Sequence, residues 1–380
     1  MTTTVSWSTV SLGEVCEFKY GKSLPEHARN PGQYQVYGSN GPVGTHLAAL
    51  TRKPAIIIGR KGSFGEIHYS DAPCWPIDTT YYVDSTSTDC DLKWLFYRLT
   101  SLGLKSLNRA AAVPGLNRED AYRQEFLLPS LDEQRRIAQV LDSVDALRAK
   151  RRAAIALLDD LAQSAFLDIF GSYSDGTAES WPIRSVEDVC TLVVDCVNRT
   201  APTVDYETPY KMIRTTNVKL GKIDLSVVRY VNRETFLKWN RRATPRKGDV
   251  ILTREAPVGE AGILNTNDQV FLGQRLMLYR VDPAKMTAEY LLAAFRSPYL
   301  QRQFDKHGSG STVKHLPLPA CRGFRIPAPP LELQVKFERR IRRIHSLKAA
   351  HEAHLAELDA LFASLQHRAF RGELWDSPAA

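Results

Sequence analysis

The chain has no long apolar run and few cysteines. Its six cysteines among 380 residues include no CxxC pair, so neither a zinc site nor a disulfide framework is indicated, and a reducing cytoplasm is the simplest location. No stretch of about 18 apolar residues occurs, so we expect no membrane span. The first residues also lack the basic and apolar regions of a signal peptide.

Motifs of nucleic-acid enzymes are missing as well. Gly21-Lys22-Ser23 resembles the end of a phosphate-binding loop, but Cys16 stands where that loop needs its first glycine. The chain contains no Asn/Asp-Pro-Pro-aromatic run of an amino-methyltransferase, no Pro-Asp partner for a nuclease centre, and no HExxH metal motif. The sequence therefore predicts no catalytic or metal site, although an active site assembled from scattered residues would leave no such motif.

What the chain does contain is a segment that occurs twice, 200 residues apart. Residues 129–134 return as 329–334, and residues 158–161 return as 358–361. Each copy follows a larger and less similar block, so the plan is block, helix, block, helix. Two similar heads on two matched helices suit a target with two separated parts.

Both copies carry the heptad pattern of a long helix that needs a partner helix. Apolar residues recur at alternating steps of four and three. In the two copies these are Ile137, Leu141, Val144, Ile155, Leu158, Ala162, Ala165 and Ile169, and Phe337, Ile341, Ile344, Leu355, Leu358, Phe362, Leu365 and Ala369. A helix of about 60 Å, at roughly 1.5 Å per residue, is not stable alone. We therefore expect the two helices, Leu131–Phe170 and Leu331–Phe370, to pair with each other in antiparallel orientation.

The same gap interrupts the heptad pattern in both copies. Four polar residues fill it: Arg148, Arg151, Lys348 and His351. Polar residues at such positions weaken a helix pair but fix its register. In the alternative interpretation, neighbours such as Leu147 and Leu347 shift the seam locally and the long cations extend outward to water. The sequence leaves both interpretations open.

Charge is distributed unevenly between the two heads. Residues 1–128 carry 13 lysines and arginines against 12 acidic residues, whereas residues 171–328 carry 23 against 16, in a chain of net charge +8. The excess in the second head suits a polyanion such as DNA. The first head, being nearly neutral, would have to place its cations on one face.

Each head also contains a buried strand, a polar turn and another strand. These lie at residues 55–66 in the first head and 249–260 in the second, and Arg60 of the first turn matches Arg254 of the second. We interpret each turn as bringing a guanidinium group and backbone amides to a phosphate or a base edge. The alternative is a tight turn whose arginine is merely solvated.

Further candidate DNA contacts lie on other polar turns, at residues 37–41 and 214–217, and on a loop at 308–314 whose counterpart is 111–118. Asparagine can read adenine and arginine can read guanine, although Asn40 would equally suit a left-handed turn. The loops either close over a DNA backbone or are ordinary connections. The candidate DNA-binding residues are Ser39, Asn40, Arg60, Lys61, Ser63, Arg214, Asn217, Arg254, Thr312 and Lys314.

These segments together resemble the specificity subunit of type I restriction–modification enzymes. Typical of that family are the two segments with proline, leucine, an acidic residue and glutamine that open the long helices, and the helix end at residues 369–374. Residues 37–41, 59–63 and 214–217 are similar to its target-recognition domains. The resemblance covers nearly the whole chain. It departs at Leu333 and Val335, so the second helix is the less typical copy.

The resemblance implies an α+β fold, with two similar mixed α/β target-recognition domains separated by two long helices that form an antiparallel coiled coil. It implies a non-catalytic subunit that reads a bipartite, asymmetric DNA site. The expected parts are a first target-recognition domain at 1–128, a first long helix at 129–170, a linker at 171–181, a second target-recognition domain at 182–328, and a second long helix with a tail at 329–380.

The resemblance also implies the partners, namely double-stranded DNA, two modification (methyltransferase) subunits and restriction/translocase subunits. The chain itself would bind no cofactor, and S-adenosylmethionine, ATP and Mg would be held by partner subunits. Candidate subunit-interface residues are Gln134, Arg135, Gln334, Phe370 and Arg371. The competing interpretations are a DNA methyltransferase or nuclease with fused recognition domains, and a coiled-coil scaffold that binds only proteins. The turn arginines and the basic second head argue against the scaffold.

Overall fold

The computed structural model describes residues 7–107, 115–171, 181–308 and 314–375. The chain divides into two compact units, one made of Met1–Ala154 with His351–Ala380 and the other of Ile155–Ala350. Each unit contains one head together with part of each long helix. The five domain boundaries expected from the sequence follow the chain consecutively and stay a prediction.

The first head consists of small sheets and short helices. Its strands are β1 (Ser8–Ser11), β2 (Lys19–Tyr20), β3 (Tyr34–Gly38), β4 (Gly41–His46), β5 (Ala55–Gly59), β6 (Ile67–Ser70), β7 (Cys74–Pro76), β8 (Thr80–Asp84) and β9 (Glu125–Leu128). Its helices are α1 (Leu12–Val15), α2 (Leu92–Ser101) and α3 (Arg118–Tyr122). The main sheet has the order β2-β8-β5-β6, a second sheet has the order β4-β3-β7, and β1 pairs with β9.

The second head follows the first long helix, α4 (Leu131–Phe170), and precedes the second, α9 (Leu331–Ala369). Its strands are β10 (Ile183–Ser185), β11 (Cys190–Asp195), β12 (Tyr210–Ile213), β13 (Val218–Lys219), β14 (Gly221–Ile223), β15 (Arg229–Tyr230), β16 (Val250–Arg254), β17 (Val258–Ile263), β18 (Gln269–Leu272), β19 (Leu276–Val281) and β20 (Arg325–Pro327). Its helices are α5 (Arg233–Trp239), α6 (Ala288–Arg296), α7 (Pro298–His307) and α8 (Leu318–Gly323).

The two heads share one topology. The order β11-β19-β16-β17 in the second head repeats β2-β8-β5-β6, the order β15-β12-β18 repeats β4-β3-β7, and β10 pairs with β20 as β1 pairs with β9. In both small sheets the middle strand pairs parallel with the strand from later in the chain. The second head extends its main sheet by β14 and β13. The expected pair of similar mixed α/β domains is confirmed.

The helix after the last main-sheet strand begins at a side-chain cap in both heads. Asp91 accepts a hydrogen bond from the backbone N–H of Trp94 at 2.9 Å, and Thr287 accepts one from the backbone N–H of Tyr290 at 3.3 Å. Each helix then buries a largely apolar face, formed by Trp94, Leu95, Tyr97 and Leu99 in α2 and by Tyr290, Leu291, Leu292, Ala294 and Phe295 in α6. These faces anchor the core of each head.

A buried glutamine fastens each long helix to its own head. Gln134 is 4% exposed, accepts from the N–H of Asp91 at 2.8 Å and donates to the carbonyl of Pro129 at 3.0 Å. Gln334 is 0% exposed and accepts from the N–H of Thr287 at 3.0 Å. It also donates to the carbonyl of Pro329 at 2.8 Å. The repeated glutamine therefore joins the start of each long helix to the cap of α2 or α6.

The long helices pair in antiparallel orientation, as expected. In the first unit Arg148 Nε of α4 lies 2.6 Å from Asp359 Oδ1 of α9, and Arg151 Nη1 lies 2.8 Å from His351 Nδ1. In the second unit Asp159 Oδ1 of α4 lies 2.5 Å from Lys348 Nζ of α9, and Asp168 Oδ2 lies 2.8 Å from Arg340 Nη1. Within each unit, the residue of α9 has the lower number where the residue of α4 has the higher one. Eight of the sixteen predicted seam residues are buried, namely Ile137, Leu141, Val144, Ala165, Phe337, Ile341, Ile344 and Ala369. The other eight are partly buried. The helix α9 ends at Ala369, one residue before the predicted Phe370.

The cations that interrupt the heptad pattern lie in the seam. The side chains of Arg148 and Lys348 are only 18% and 17% exposed. The Arg148 guanidinium lies 4.3 Å from the ring centre of Phe362. Leu147 and Leu347 are 49% and 54% exposed instead. The interpretation with outward-extending cations is therefore wrong.

Within the ranges that the structure describes, none of the helices combines the length and the apolar composition that a membrane span needs.

Candidate nucleic-acid interface

In the first head, three backbone hydrogen bonds draw distant segments together at one end of the main sheet. The N–H of Arg60 donates to the carbonyl of Thr79 at 2.9 Å, and the N–H of Leu116 donates to the carbonyl of Arg60 at 2.9 Å. The N–H of Gly21 donates to the carbonyl of Thr80 at 3.1 Å. We call this cluster the first strand-end site; it comprises residues 20–23, 60–63, 77–79 and 115–118.

The second head repeats the same three bonds. The N–H of Arg254 donates to the carbonyl of Arg275 at 2.8 Å, and the N–H of Leu316 donates to the carbonyl of Arg254 at 3.0 Å. The N–H of Cys196 donates to the carbonyl of Leu276 at 3.2 Å. We call this cluster the second strand-end site; it comprises residues 195–198, 254–257, 273–275 and 315–316.

The pairing of the strands shows which residue of the first site corresponds to which residue of the second. Tyr20 lies opposite Tyr81 in the first main sheet, and Asp195 lies opposite Met277 in the second. The pairings of β5 with β8 and of β16 with β19 agree with this alignment. The corresponding pairs are Arg60 with Arg254, Tyr20 with Asp195, Ser23 with Asn198, Lys61 with Glu255, Asp78 with Gln274, and Thr79 with Arg275. The arginine of the turn is thus common to both sites, and the positions around it differ.

The turn behind each arginine closes on a glycine with a left-handed backbone. Gly65 has φ +73° and Gly259 has φ +86°. A Cβ on Gly65 would lie 2.6 Å from the backbone nitrogen of Lys105, and one on Gly259 would lie 2.9 Å from the ring of Phe304. Only glycine tolerates both the conformation and the close approach. The predicted arrangement of strand, polar turn and strand is confirmed in both heads.

Two arginines flank an exposed tyrosine in the first strand-end site. Arg60 donates through Nη2 to the carbonyl of Asp78 at 2.6 Å, and its guanidinium lies 5.3 Å from the ring centre of Tyr20. The guanidinium of Arg118 lies 5.6 Å from the same ring. Tyr20 is 54% exposed. The pKa of the adjacent Tyr81 is raised to about 12, mainly because its hydroxyl is buried and to a lesser extent because Tyr20 lies beside it. The result is a cationic surface around an aromatic face, which suits a phosphate backbone and its bases.

The other residues predicted in the first head lie around the same site. Ser39 is buried, and its hydroxyl donates to the carbonyl of Thr79 at 2.6 Å, so it supports the turn. Asn40, Lys61 and Ser63 are exposed. Ser39 therefore contacts the same carbonyl, that of Thr79, as the N–H of Arg60 does, and Lys61 and Ser63 lie on the turn of Arg60 and are open to solvent.

The second strand-end site surrounds a polar cavity of about 400 Å³ lined by Asn198, Arg254, Glu255, Gln274, Arg275 and His315. Arg254 donates through Nε to the carbonyl of Leu316 at 2.9 Å, which holds the guanidinium group inside the site. Arg275 forms an ion pair with Glu255. Its φ of +68° is a left-handed conformation that a non-glycine residue rarely adopts.

The remaining predicted residues of the second head have different surroundings. Asn217 is buried; its Oδ1 accepts from the N–H of Arg214 at 2.9 Å, and its Nδ2 donates to the carbonyls of Asp224 and Val227. Asn217 therefore holds its own loop. Arg214 is partly buried, and its Nε makes no hydrogen bond within the described ranges. Lys314 is exposed, with Nζ 3.6 Å from Asp305. Thr312 lies outside the described residues.

The candidate subunit-interface residues divide into two groups. Gln134, Gln334 and Phe370 are buried, and Phe370 packs in the core of the first unit. Arg135 and Arg371 have side chains that are 56% and 60% exposed, so these two are accessible on the surface of the chain. Contact of any of the five residues with a partner subunit stays a prediction.

Sequence reasoning missed several residues of the two sites: Tyr20, Arg118, Asn198, Gln274 and Arg275. They come from segments far apart in the chain, which only strand pairing brings together. The sequence carried only a weak signal for these residues. Gln274 and Arg275 are a polar pair that follows the strand β18 after Gly273, much as the turn at Arg60 follows the strand β5. Within the described parts of the chain, no group of three or more His, Cys, Asp or Glu is placed to hold a metal ion.

Comparison with known proteins establishes the family. The family model described as the type I restriction modification DNA specificity domain matches residues 4–157 and again residues 178–359. The chain belongs to this family. The two matched ranges fall one on each head, so each head contains one specificity domain of this family.

Individual members of this family are distant relatives. The chain is 23% identical to the type I restriction enzyme MjaVIII specificity subunit of Methanocaldococcus jannaschii over 272 residues. That match covers 67% of this chain but 63% of the relative, less than two thirds of its length. It is 24% identical to the EcoBI specificity subunit of Escherichia coli over 352 residues, which cover 84% of this chain and 73% of that one.

Solved structures share the fold of this chain. The S subunit of a type I restriction–modification system from M. genitalium superimposes with a TM-score of 0.64 at 14% identity, covering 97% of each chain. A second chain, from work on complex assembly and conformational transition of the type I restriction–modification system, gives 0.53 at 18% identity and covers 97% of this chain and 99% of that one. At such identities the likeness concerns the fold alone.

Proposed function

We propose that this chain is the non-catalytic subunit that reads a bipartite, asymmetric sequence in double-stranded DNA, with one half of the target read by each head. The observation that carries the proposal is the pair of strand-end sites. They keep the same backbone hydrogen bonds and the same arginine, while the surrounding positions carry different side chains. A common framework with different hydrogen-bonding groups suits two readers of two different half-sites.

The arginine common to both sites fits a contact that does not depend on sequence. Arg60 and Arg254 are each tied to a backbone carbonyl by the guanidinium group, so each is held in a fixed orientation. The guanidinium N–H groups not used in that bond suit a phosphate oxygen. In this proposal the exposed Asn40, Lys61 and Ser63 add contacts in the first head, and Arg214 and Lys314 add contacts in the second.

The paired long helices have two roles in the proposal. They fix the spacing between the two half-sites, and they provide docking surfaces for two modification (methyltransferase) subunits through exposed groups that include Arg135 and Arg371. S-adenosylmethionine, ATP and Mg are held by the partner subunits, and this chain holds no cofactor. Restriction/translocase subunits join the same complex, which works in the cytoplasm.

The proposal is tested by selection of duplexes from a randomised pool with the complex of this chain and its modification subunits. We expect one bipartite sequence with two different halves. Replacing residues 182–328 by the second head of a relative should change one half and leave the other half and the spacer unchanged. Enrichment of no sequence, or a change in both halves after the exchange, would contradict the proposal.

A further inference from the structure

We propose that the cavity of the second strand-end site is a base-reading pocket, in which Gln274, assisted by Asn198, recognises the major-groove edge of an adenine in one half-site. This inference rests on the proposed function and names the recognising groups of the second head. No residue of the first head is required for it.

No described residue occupies the two side-chain amides of the cavity. Asn198 and Gln274 line the cavity of about 400 Å³, and within the described residues neither side-chain amide makes a hydrogen bond. Asn217 in the same head contrasts with them, because its Oδ1 and Nδ2 are bonded to its own loop. An amide open to water can exchange its water partners for a base edge at little net cost.

The charged side chains around the cavity are held in fixed orientations. Arg254 donates through Nε to the carbonyl of Leu316 at 2.9 Å, and Arg275 is paired with Glu255. The other guanidinium N–H groups of Arg254 suit a phosphate oxygen beside the cavity. The amides of Asn198 and Gln274 can both donate and accept, which suits a base edge that presents one acceptor beside one donor.

The backbone holds Gln274 in place between two anchors. The N–H of Gly273 donates to the carbonyl of Ile213 at 2.7 Å, and the carbonyl of Arg275 accepts from Arg254 at 2.8 Å. The left-handed backbone of Arg275, with φ +68°, is a conformation found preferentially where function requires it. A side chain on so restrained a turn loses little backbone freedom when it binds.

Base chemistry selects adenine for this amide. Adenine presents the N7 acceptor and the N6 donor side by side in the major groove, which matches the donor and acceptor of a carboxamide. The corresponding residue of the first head is Asp78, whose carboxylate oxygens are acceptors and would suit the N4 donor of cytosine. The difference at this one position gives the two heads different base preferences.

The test is selection from a randomised duplex pool by the full chain in complex with its modification subunits. The wild-type complex should require adenine at one position of one half-site. Gln274→Ala should lose that preference, by roughly 5- to 150-fold, and Gln274→Glu should shift it toward cytosine. The matched control is Gln269→Ala, an exposed amide at the opposite end of β18, which should leave the target unchanged.

The other half-site serves as an internal control for folding. Each variant should still select the half read by the first head. In the wild-type complex, 7-deazaadenine at the identified position should weaken binding, whereas Gln274→Ala should not distinguish it from adenine. If wild type selects a bipartite target and both Gln274→Ala and Asn198→Ala keep it unchanged, the pocket assignment is overturned and the proposed function stands. If wild type selects no sequence, both are overturned.

Discussion

In the first head, the strand-end arginine lies against an exposed tyrosine ring with a second arginine on its other side. In the second head it borders a polar cavity lined by two side-chain amides. The backbone bonds that hold Arg60 and Arg254 are nevertheless the same in both heads. One framework thus presents an aromatic and cationic surface in one copy and a concave amide surface in the other. Side chains at the ends of strands can change without loss of the framework, because backbone groups hold it.

The attachment of the long helices shows the opposite behaviour. Gln134 and Gln334 make corresponding hydrogen bonds to the cap of the helix in each head and to a proline carbonyl. Here the framework depends on the side chain itself, so the residue is the same in both copies. This explains why the sequence repeat is strong at the start of the helices and weak within the heads.

The largest effect is expected from filling the space at the turn glycines. Gly65→Ala should destabilise the first unit by about 3–5 kcal/mol, because it adds left-handed strain and a clash with the backbone of Lys105. Gly259→Ala should cost about 2–3 kcal/mol, since it meets the movable ring of Phe304. Denaturant unfolding measures both, and equal costs would contradict the difference in packing.

Gly62→Ala is the matched control for this pair. Gly62 also has a left-handed backbone, with φ +72°, but no atom lies within 4 Å of the position of an added Cβ. It should cost only about 1–2 kcal/mol, from backbone strain alone. A cost as large as that of Gly65→Ala would show that the close approach to Lys105 is unimportant.

Loss of the helix-anchoring glutamines should rank next. Gln334→Ala leaves the N–H of Thr287 and the carbonyls of Lys285 and Pro329 without their partner, and should cost about 2–4 kcal/mol. Gln134→Ala removes two bonds and should cost about 1–3 kcal/mol. The exposed Arg135→Ala is the control and should stay within about 0.5 kcal/mol of wild type. If Gln134→Ala destabilised the chain more than Gln334→Ala does, this comparison of the two anchors would be wrong.

Removal of the strand-end arginines tests whether they share one role. We expect Arg60→Ala and Arg254→Ala each to weaken DNA binding by about 1–3 kcal/mol without unfolding the chain. A phosphate contact predicts equal weakening on all sequences and a salt slope lower by roughly one unit, whereas a base contact predicts relaxed preference at one position. Binding titrations over a range of salt separate the two. Wild-type affinity of both variants would make these turns purely structural.

The smallest effects are expected at the ion pairs of the helix seam. Arg148 contacts both Asp359 and Asp145 and lies over Phe362, so its coupling to Asp359 should be about 0.5–1 kcal/mol. The coupling of Lys348 to Asp159, whose carboxylate is 60% exposed, should be smaller and more sensitive to salt. Double-mutant cycles measure both terms. A larger value for the lysine pair would overturn this order.

The residues that sequence reasoning placed well are those whose signal is local. The heptad spacing located α4 at Leu131–Phe170 and α9 to within one residue of its end. Apolar runs followed by polar turns located the strands beside Arg60 and Arg254. Such patterns are visible in the sequence because a helix or a half-buried strand repeats its environment at a fixed period.

By itself, the sequence determined the two-fold plan of the chain, its long paired helices, its family resemblance and the turn arginines. Only the tertiary structure decided that Arg148 and Lys348 lie in the seam, that Gln134 and Gln334 are buried anchors, and that Tyr20, Asn198 and Gln274 belong to the strand-end sites. The reason is physical. Burial and hydrogen-bond partners depend on which distant strands pair, and a single sequence records the period of an element but not its neighbours.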